Sequence, residues 1–488
     1  MSRLSNATLG QLTPSTGVPA YQRGQVMPGI VHLGIGAFHR AHQAACLDDL
    51  LGEDPAWGIV GVSIRSPATR DALAPQDGLF TLAVRDASGT HCRVIGADLS
   101  VLHLEEDRDE VLMHLTSLAT RIVTLTVTEK GYCHDPATGQ LDESHPGVLH
   151  DLANSGNPDT APGLLVEALH RRREAGVAPF TILSCDNLPA NGVTTARIVS
   201  RFAQLRDPEL GRFVAEHVAF PSTMVDRIVP ATTDADRAEI SGLIGAEDAW
   251  PVVTEPFSQW VIEDRFPSGR PAFEKAGVQM VDDVAPFEEM KLRMLNGPHS
   301  SLAYLGYLAG HQTVAETVSI PEMRAFLSAM MTWEIMPTLD VPDMDLFAYR
   351  EDLLERFLNP ALRHRTWQIA MDGSQKLPQR LLGTIRARIA AGASYDRLAL
   401  GVAAWMTYVA GTDEAGNPID VRDPLAQRFA EMAASAAGNV ETYLDAVLSV
   451  QETFGTDLPA DKGFRARLLD HLSSLREYGA LATLSKLA

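Results

Sequence analysis

The sequence predicts an α/β protein in which a doubly wound N-terminal domain is followed by an all-α C-terminal domain. At 488 residues the chain exceeds the size at which one hydrophobic core is usual, so two domains are expected. Short β-branched runs alternate with helical patterns up to about residue 285, which is typical of a mostly parallel sheet covered on both faces. Strand signals then become rare and helical patterns dominate. We therefore place the domains at residues 1–285 and 286–488.

Composition and charge exclude several classes of protein. The chain carries 41 basic and 62 acidic residues, a net charge of −21, which argues against binding to nucleic acid or to an anionic membrane surface. No apolar run approaches the length of a membrane span, and residues 1–25 lack the apolar core of a signal peptide. The four cysteines are widely spaced, which predicts neither a zinc site nor a disulfide framework. We expect a cytoplasmic protein without a metal; a monomer is expected, with an oligomer left open.

The N-terminal domain is predicted element by element from periodicity and residue type. A polar segment rich in Gly, Pro, Asn and Asp, residues 135–162, is predicted to be a loop. The predicted strands are residues 30–33, 57–64, 79–84, 92–97, 122–128, 180–184 and 252–260, and the predicted helices are residues 41–51, 107–118, 164–174 and 194–204.

A glycine turn follows the first predicted strand directly. Gly34 and Gly36 are followed by Ala37, Phe38 and His39, and a helical pattern comes next. A strand, a glycine turn and a helix open a Rossmann-like dinucleotide-binding unit, because glycine allows a pyrophosphate to approach the backbone at a helix N-terminus. His39 stands where the full fingerprint has its third glycine, so an ordinary structural turn is the alternative.

Polar residues also follow the later strands. The second strand runs into Arg65 rather than into the acidic residue that binds the ribose of NAD, and an arginine there can accept a 2′-phosphate. NAD is the expected cofactor, with NADP left open. Thr128, Glu129 and Lys130 follow the strand at 122–128, and Asn187 follows the strand at 180–184. Ligands bind at the carboxyl ends of parallel strands, so these residues are candidates for a site.

One helical segment of the second domain gathers side chains that can transfer protons. At about 100° per residue, Lys291, Asn296 and His299 project within an arc of roughly 140°. A solvated polar stripe is the alternative. The pair Gly297-Pro298 predicts a local kink. The predicted helices of this domain are residues 288–307, 321–336, 346–357, 379–391, 395–410, 424–437, 440–449 and 462–478.

Three stretches together resemble the long-chain polyol dehydrogenases, the mannitol dehydrogenase family of nicotinamide enzymes. Val-Asp-Arg-Ile-x-Pro, the form of the family signature, is intact at residues 225–230. The pattern Lys-x-x-x-x-Asn-x-x-His is present at residues 291–299, and Gly-x-Gly-x-Phe-His-Arg-Ala-His at residues 34–42. Each motif alone is modest, but the combination is specific and spans nearly the whole chain.

The resemblance implies reversible hydride transfer between a nicotinamide and a keto carbon without a metal. Lys291 would be the general base, which requires a depressed lysine pKa. The amides of Asn187 and Asn296 would stabilise the developing alkoxide, and His299 would hold a substrate hydroxyl or orient the lysine. The resemblance also places Thr128, Glu129 and Asp226 at the cofactor, and Glu129 is a candidate proton relay.

Within the family, the chain most resembles the fructuronate reductases, also called D-mannonate oxidoreductases, through residues 128–133, 255–264 and 364–378. Lys130 would then recognise the substrate carboxylate by a charge-assisted contact, and Arg365 and Lys376 would contact the substrate as well. The alternative within the family is a mannitol 2-dehydrogenase or a related arabitol or sorbitol dehydrogenase. The alternative outside catalysis is an NAD(H)-binding sensor.

Overall fold

A five-stranded parallel sheet organises the first of two compact units. The structure is a computed structural model that describes residues 1–135, 138–362 and 364–488. It divides into Met1–Ala285 and Pro286–Ala488. The strands of the first unit are β1 (Pro28–Leu33), β2 (Gly58–Ser63), β3 (Phe80–Asp86), β4 (Gly89–Ile95), β5 (Asp98–His103), β6 (Ile122–Leu125), β7 (His134–Asp135), β8 (Gln140–Leu141), β9 (Thr181–Ser184), β10 (Thr223–Asp226), β11 (Val252–Thr254), β12 (Gln259–Glu263) and β13 (Gln279–Val281).

The main sheet has the strand order β5-β2-β1-β6-β9, and all its neighbours are parallel. The chain moves outward from β1 in one direction to β5 and then returns to β6 on the other side. The strand order therefore reverses between β1 and β6, which is the switch point where open α/β sheets bind ligands. The predicted doubly wound fold is confirmed.

Successive residues of the strands pack into two different cores. Val31 and Val123 belong to the core on one face of the sheet. Ile30 and Ile122 belong to the core on the other face. Because helices cover both faces of the sheet, the residues on both faces are apolar. The strands are therefore continuous hydrophobic runs in the sequence rather than alternating ones.

The helices of the first unit include several that the sequence analysis missed. Residues 135–162, predicted to be a loop, contain β7, β8 and α5 where the structure describes them; two of these positions, 136 and 137, lie outside the described residues. The predicted helix 41–51 corresponds to Gln43–Asp48, and a separate short helix, Ala37–Ala41, precedes it. The two are separated at His42, whose Nε2 lies 2.9 Å from the carbonyl oxygen of Gln259. The helices are α1 (Ala37–Ala41), α2 (Gln43–Asp48), α3 (Ala68–Leu73), α4 (Arg108–Thr116), α5 (Pro146–Ala153), α6 (Ala161–Glu174), α7 (Asn191–Arg206), α8 (Pro208–His217) and α9 (Asp234–Ile244).

The predicted strand 252–260 is also wrong as one element. It is two strands, β11 beside β3 and β12 between β10 and β13, in two separate three-stranded sheets. Pro256 stands between them, and proline cannot supply a ladder hydrogen bond.

In its described residues the second unit consists of helices joined by turns and loops, with no β-strand among them. It carries α10 (Ala285–Met290, which begins at the boundary), α11 (Gly297–Leu308), α12 (Val314–Val318), α13 (Pro321–Met330), α14 (Leu346–Phe357), α15 (Thr366–Ala370), α16 (Gly373–Leu377), α17 (Gly383–Ala390), α18 (Asp396–Val409), α19 (Ala426–Ser435), α20 (Val440–Leu448), α21 (Gln451–Phe454), α22 (Asp457–Ala460) and α23 (Lys462–Leu484). Among the residues that the structure describes, no helix is both long enough and apolar enough to cross a membrane.

Three of the predicted continuous helices contain a turn of π-helix. These are the Lys291 π-turn (Lys291–Asn296), the Met331 π-turn (Met331–Ile335) and the Pro378 π-turn (Pro378–Leu382). The Lys291 π-turn packs against the other two. A π-turn holds one residue more than an α-helical turn and is frequent at functional sites.

Candidate active site

Four strands of the main sheet end at one edge, and the predicted site residues of the first unit follow them. Gly34 follows β1, Arg65 comes two residues after β2, Thr128 comes three after β6, and Asn187 comes three after β9. Because the strands are parallel, their carboxyl ends share an edge, so the structure brings these four segments together.

The turn after β1 fits a dinucleotide. Gly34 has φ +94°, and a Cβ there would lie 2.3 Å from the carbonyl oxygen of Thr126, so only glycine is accommodated. Gly36 caps α1, and a Cβ added to it would meet nothing closer than 3.7 Å. The open space at Gly36 and the N–H groups of Ala37 and Phe38, which have no partner within the helix, suit the pyrophosphate of a nucleotide cofactor.

His39 departs from its predicted role. Its side chain is fully buried, stacks on His32 at a ring distance of 3.5 Å, and lies 3.3 Å from a carboxylate oxygen of Asp98. Burial lowers the pKa of His39 to about 3, so the imidazole is uncharged. Only the backbone N–H of His39, in the first turn of α1, remains available for the predicted cofactor contact.

Arg65 is exposed beyond the end of β2. Its charge opposes the effect of burial on the nearby thiol of Cys133, whose pKa is raised to about 11. Cys133 directly follows the turn Glu129–Tyr132, so Arg65 lies beside the segment that leaves β6. An exposed guanidinium at this edge leaves both NAD and NADP compatible with the fold.

Thr128 holds a backbone conformation that side chains rarely adopt. Its φ is 65° and its ψ is 164°, a region used almost only by glycine. The carboxylate of Asp186 accepts hydrogen bonds from the N–H groups of Val127, at 2.9 Å, and Thr128, at 3.0 Å. Two charge-assisted bonds to consecutive N–H groups compensate for this strain.

Asp186 also binds the turn that follows. The hydroxyl of Tyr132 donates to Asp186 at 2.8 Å and lies 2.6 Å from the hydroxyl of Ser184. Burial raises the pKa of Asp186 to about 6. Asp186 was not among the residues predicted from the sequence, although its position two residues after a strand and directly before Asn187 was a usable signal.

The polar candidate residues near Asp186 differ in how far their side chains are exposed. The side chains of Glu129, Lys130 and Asn187 are exposed, as a role in binding a ligand requires. Asp226 is buried at the end of β10. Arg227 donates hydrogen bonds to the carbonyl oxygens of Ala41 and Glu255, so the signature arginine ties the end of α1 to the segment after β11.

In the helical unit, the Lys291 π-turn joins α10 to α11. Lys291 and His299 are each only 7% exposed, so the alternative of a solvated polar stripe is wrong. The predicted interruption at Gly297-Pro298 is present as a π-turn, in which the N–H of Gly297 donates to the carbonyl of Leu292, five residues back. Pro298 has no N–H to donate, so the α-helical ladder cannot continue unchanged across it.

The π-turn changes the direction of two candidate side chains. A regular α-helix would separate Lys291 from Asn296 by about 140° around its axis. With one extra residue in the turn, the same five-residue step is equivalent to four α-helical residues, a separation of about 40°. The amine and the amide therefore share one face.

The π-turn is held from both sides within the helical unit. Arg293, which projects elsewhere, pairs with Glu289 and donates to the carbonyl of Thr338 at 2.9 Å. Gly297 lies against the Pro378 π-turn, and a Cβ there would be 2.7 Å from the carbonyl oxygen of Arg380. The turn is thus fixed by packing as well as by hydrogen bonds.

His299 lies in a surrounding of aromatic rings and cations. It stacks on Phe357 at 4.9 Å and meets His364 edge-on at 5.1 Å. Burial, and then the electrostatic effects of His364, Arg380, Arg356 and Lys376, hold the pKa of His299 well below its usual range. His364 is itself neutral, because burial lowers its pKa to about 4. The imidazole of His299 is therefore neutral and can bind a substrate hydroxyl without carrying a charge.

The two remaining candidates lie in the segment between α14 and α17. Arg365 is exposed directly before α15. Lys376 is half-buried on α16 and donates to the carbonyl oxygen of Met371 at 2.5 Å. Lys376 contributes to the positive surroundings of His299, whereas no such contribution from Arg365 is recorded.

Comparison with known proteins agrees with this geometry. Residues 28–275 match the family model of the mannitol dehydrogenase Rossmann domain, and residues 283–476 match that of the mannitol dehydrogenase C-terminal domain. Two Escherichia coli K12 proteins are each 48% identical: the uncharacterized oxidoreductase YeiQ over 465 residues, covering 95% of both chains, and the D-mannonate oxidoreductase over 468 residues, covering 95% of this chain and 96% of that one.

A solved structure extends the likeness to the whole fold. The Pseudomonas fluorescens mannitol 2-dehydrogenase, in ternary complex with NAD and D-mannitol, matches with a TM-score of 0.88 and 42% identity over 99% of both chains. The predictions of a Rossmann-like domain followed by a helical domain, and of a dehydrogenase acting on CH–OH groups, are confirmed. The chain belongs to the mannitol dehydrogenase family.

Proposed function

We propose that this protein reduces D-fructuronate to D-mannonate, reversibly, with NAD as the cofactor. The observation that carries the choice of an acid is the charge around His299, where the cations that act on the imidazole are Arg380, Arg356 and Lys376. A positive surrounding favours a substrate with a carboxylate over a neutral polyol. The 48% identity to a D-mannonate oxidoreductase supports the same choice.

The chain's own residues supply binding and proton transfer. Bound NADH supplies the hydride that adds to the keto carbon. Lys291 gives a proton to the keto oxygen as that bond forms, and in the reverse direction it takes the proton back. Asn296, on the same face of the π-turn, and Asn187 donate amide hydrogen bonds to this oxygen while it carries negative charge. His299, as a neutral imidazole, binds a neighbouring hydroxyl.

The first unit holds the cofactor. Gly34 and Gly36 admit the pyrophosphate, and the N–H groups at the start of α1 bind it. Thr128, Glu129 and Asp226 are proposed to contact the remainder of the cofactor. Lys130, Arg365 and Lys376 are proposed substrate contacts.

A neutral polyol is the second candidate, because the P. fluorescens mannitol 2-dehydrogenase is similar over 99% of the chain. A substrate panel separates the two. Initial rates are measured with D-fructuronate, D-fructose and D-mannitol, each with NADH or NAD and with the phosphorylated cofactor. We expect kcat/KM for D-fructuronate to exceed that for D-fructose by at least about 100-fold, as an ionic contact worth about 3 kcal/mol allows. A higher value for D-fructose would establish the polyol enzyme instead.

A further inference from the structure

Arg380 is a half-buried cation of the helical unit, and no acidic partner for it is found among the residues that the structure describes. It lies in the Pro378 π-turn, and its Nη1 donates to the hydroxyl of Ser300 at 3.0 Å. Among the residues that the structure describes, no carboxylate is recorded in an ion pair or charge interaction with Arg380. Burial lowers the pKa of its guanidinium. A partly desolvated charge without a counterion carries a cost in free energy, so its presence calls for a reason.

The groups near Arg380 offer hydrogen-bond capacity that the chain does not use. Nε2 of His299 and Nδ1 of His364 are both buried without a hydrogen-bond partner. Arg356 and Lys376 add two more cations that act on His299. We call these five residues the Arg380 cluster. Unused ring nitrogens and an unpaired guanidinium together suit one kind of ligand, a small oxyanion.

A purely structural role for Arg380 leaves most of its hydrogen-bond donors unexplained. The bond to Ser300 needs only one of the five N–H groups of the guanidinium, and a neutral side chain could make it. Lys130, the residue first considered for acid recognition, is exposed, where solvent and salt weaken an ionic contact. The planar guanidinium of Arg380, in a half-buried place, binds a carboxylate more strongly, since it can form two parallel hydrogen bonds.

We propose that the Arg380 cluster binds the carboxylate of the sugar-acid substrate, and that Arg380 is the residue that selects an acid over a neutral ketose. This inference rests on the proposed function, because it names the group that distinguishes the two substrate classes. His299 then has two roles. Its neutral imidazole binds a substrate hydroxyl, and it also forms part of the carboxylate-binding cluster.

The test compares the selectivity of Arg380→Met, Arg380→Lys and the wild type. Selectivity is the ratio of kcat/KM for D-fructuronate to kcat/KM for D-fructose, measured with NADH. We expect the ratio to fall about 30-fold in R380M and about 5-fold in R380K, which keeps the charge but loses the planar fork. The matched control is Arg324→Met, which removes a positive charge from an exposed position on α13 and should leave the ratio unchanged.

Two results would overturn the inference while leaving the proposed function intact. The first is an equal loss for both substrates in R380M, which would make Arg380 a support for Ser300. The second is a rise in the Kd of NADH, measured by nicotinamide fluorescence, which would mean that the cluster binds a cofactor phosphate. If R380M does not fold, as judged by circular dichroism, the ratio in R380K decides, and an unchanged ratio overturns the inference.

A third result distinguishes a failure of the proposed function from a failure of the proposed carboxylate site. If the wild type reduces D-fructose but not D-fructuronate, D-mannonate is tested as a competitive inhibitor against D-fructose. A Ki that rises about 30-fold in R380M still supports a carboxylate site at the cluster. An absent inhibition, or the same Ki in both proteins, overturns the cluster together with the function.

Discussion

Asp186 holds the backbone of Thr128 in a conformation that is almost reserved for glycine. The carboxylate accepts the Thr128 N–H at 3.0 Å, and the same carboxylate accepts the Val127 N–H and the Tyr132 hydroxyl. The residue before the candidate Asn187 therefore fixes the course of the chain through Glu129 and Lys130. Asp186 is a positioning residue that was not among those predicted from the sequence.

Replacing Asp186 with Asn should loosen this segment. The amide nitrogen of Asn is a donor, so at least one of the three bonds is lost and Thr128 is free to relax. We expect kcat/KM to fall about 10- to 100-fold and the free energy of unfolding to fall by about 1–3 kcal/mol. Asp142→Asn is the matched control, because Asp142 also accepts a backbone N–H, from Ser144, but lies outside the strand-end segments. Equal effects in both variants would contradict the assignment.

The pKa of Asp186 predicts opposite responses of activity and stability to acid. Burial raises this pKa from 3.8 to about 6, so below pH 6 a proton occupies an oxygen that the three donors need, and kcat/KM should fall. The folded state binds this proton more tightly than the unfolded state, so the free energy of unfolding contributed by Asp186 rises as the pH falls from about 6 towards 4. Relative to D186N, the wild type should gain about 2 kcal/mol between pH 7 and pH 4.5, measured by urea unfolding. A constant difference between the two proteins would show that Asp186 does not titrate in this range.

Lys291→Ala should remove proton transfer but not cofactor binding. We expect kcat to fall at least about 1,000-fold, with the Kd of NADH within about threefold of the wild type. Adding ammonium or methylamine should restore part of the rate, because a free amine can occupy the space of the lost side chain. Lys275→Ala, which removes an exposed lysine paired with Glu53, is the control. A K291A enzyme with a near-normal kcat would end the assignment of Lys291.

The two glycines of the cofactor turn should respond differently to alanine. At Gly34 the positive φ and the 2.3 Å approach to Thr126 should cost about 2 kcal/mol or more of folding free energy. At Gly36 a Cβ meets no close atom, so G36A should keep its stability while NADH binds at least about 10-fold more weakly. Thermal unfolding and NADH titration separate the two effects. Unchanged NADH affinity in G36A would mean that the pyrophosphate does not pass over this residue.

Gly297 should tolerate no side chain where the two π-turns meet. A Cβ there would lie 2.7 Å from the carbonyl of Arg380, so G297A should lose about 1–3 kcal/mol of stability and shift the neighbouring Asn296, lowering kcat. Gly242→Ala, in α9 with no atom within 4 Å, is the control and should gain about 0.5–1 kcal/mol. Denaturant unfolding and initial rates measure both variants. If G297A kept the stability and the kcat of the wild type, the two π-turns could move apart without any cost to folding or catalysis.

The sequence predicted what depends on local pattern and missed what depends on tertiary contacts. Buried strands such as β1 and β6 and amphipathic helices such as α14 follow from periodicity, so their prediction succeeded. The division at His42 depends on a hydrogen bond to a residue more than two hundred positions away, which no local pattern reveals. Likewise, Lys291 and Asn296 were identified by spacing, but an α-helical wheel placed them too far apart because a single π-turn is too short to show its own periodicity in the sequence.

The Lys291 π-turn also has an evolutionary consequence. Because it amounts to an α-helical turn with one residue inserted, a single-codon deletion within it would restore a regular helix in which the amine and the amide, then four residues apart, still lie about 40° from each other. Conversion of the turn to a regular α-helix with all its residues kept would instead separate the amine from the amide by about 140°. In a relative that lacked the insertion, an alignment without gaps would pair the lysine correctly and every later residue of the helix wrongly. The length of this one turn is therefore inherited information as important as the identity of its residues.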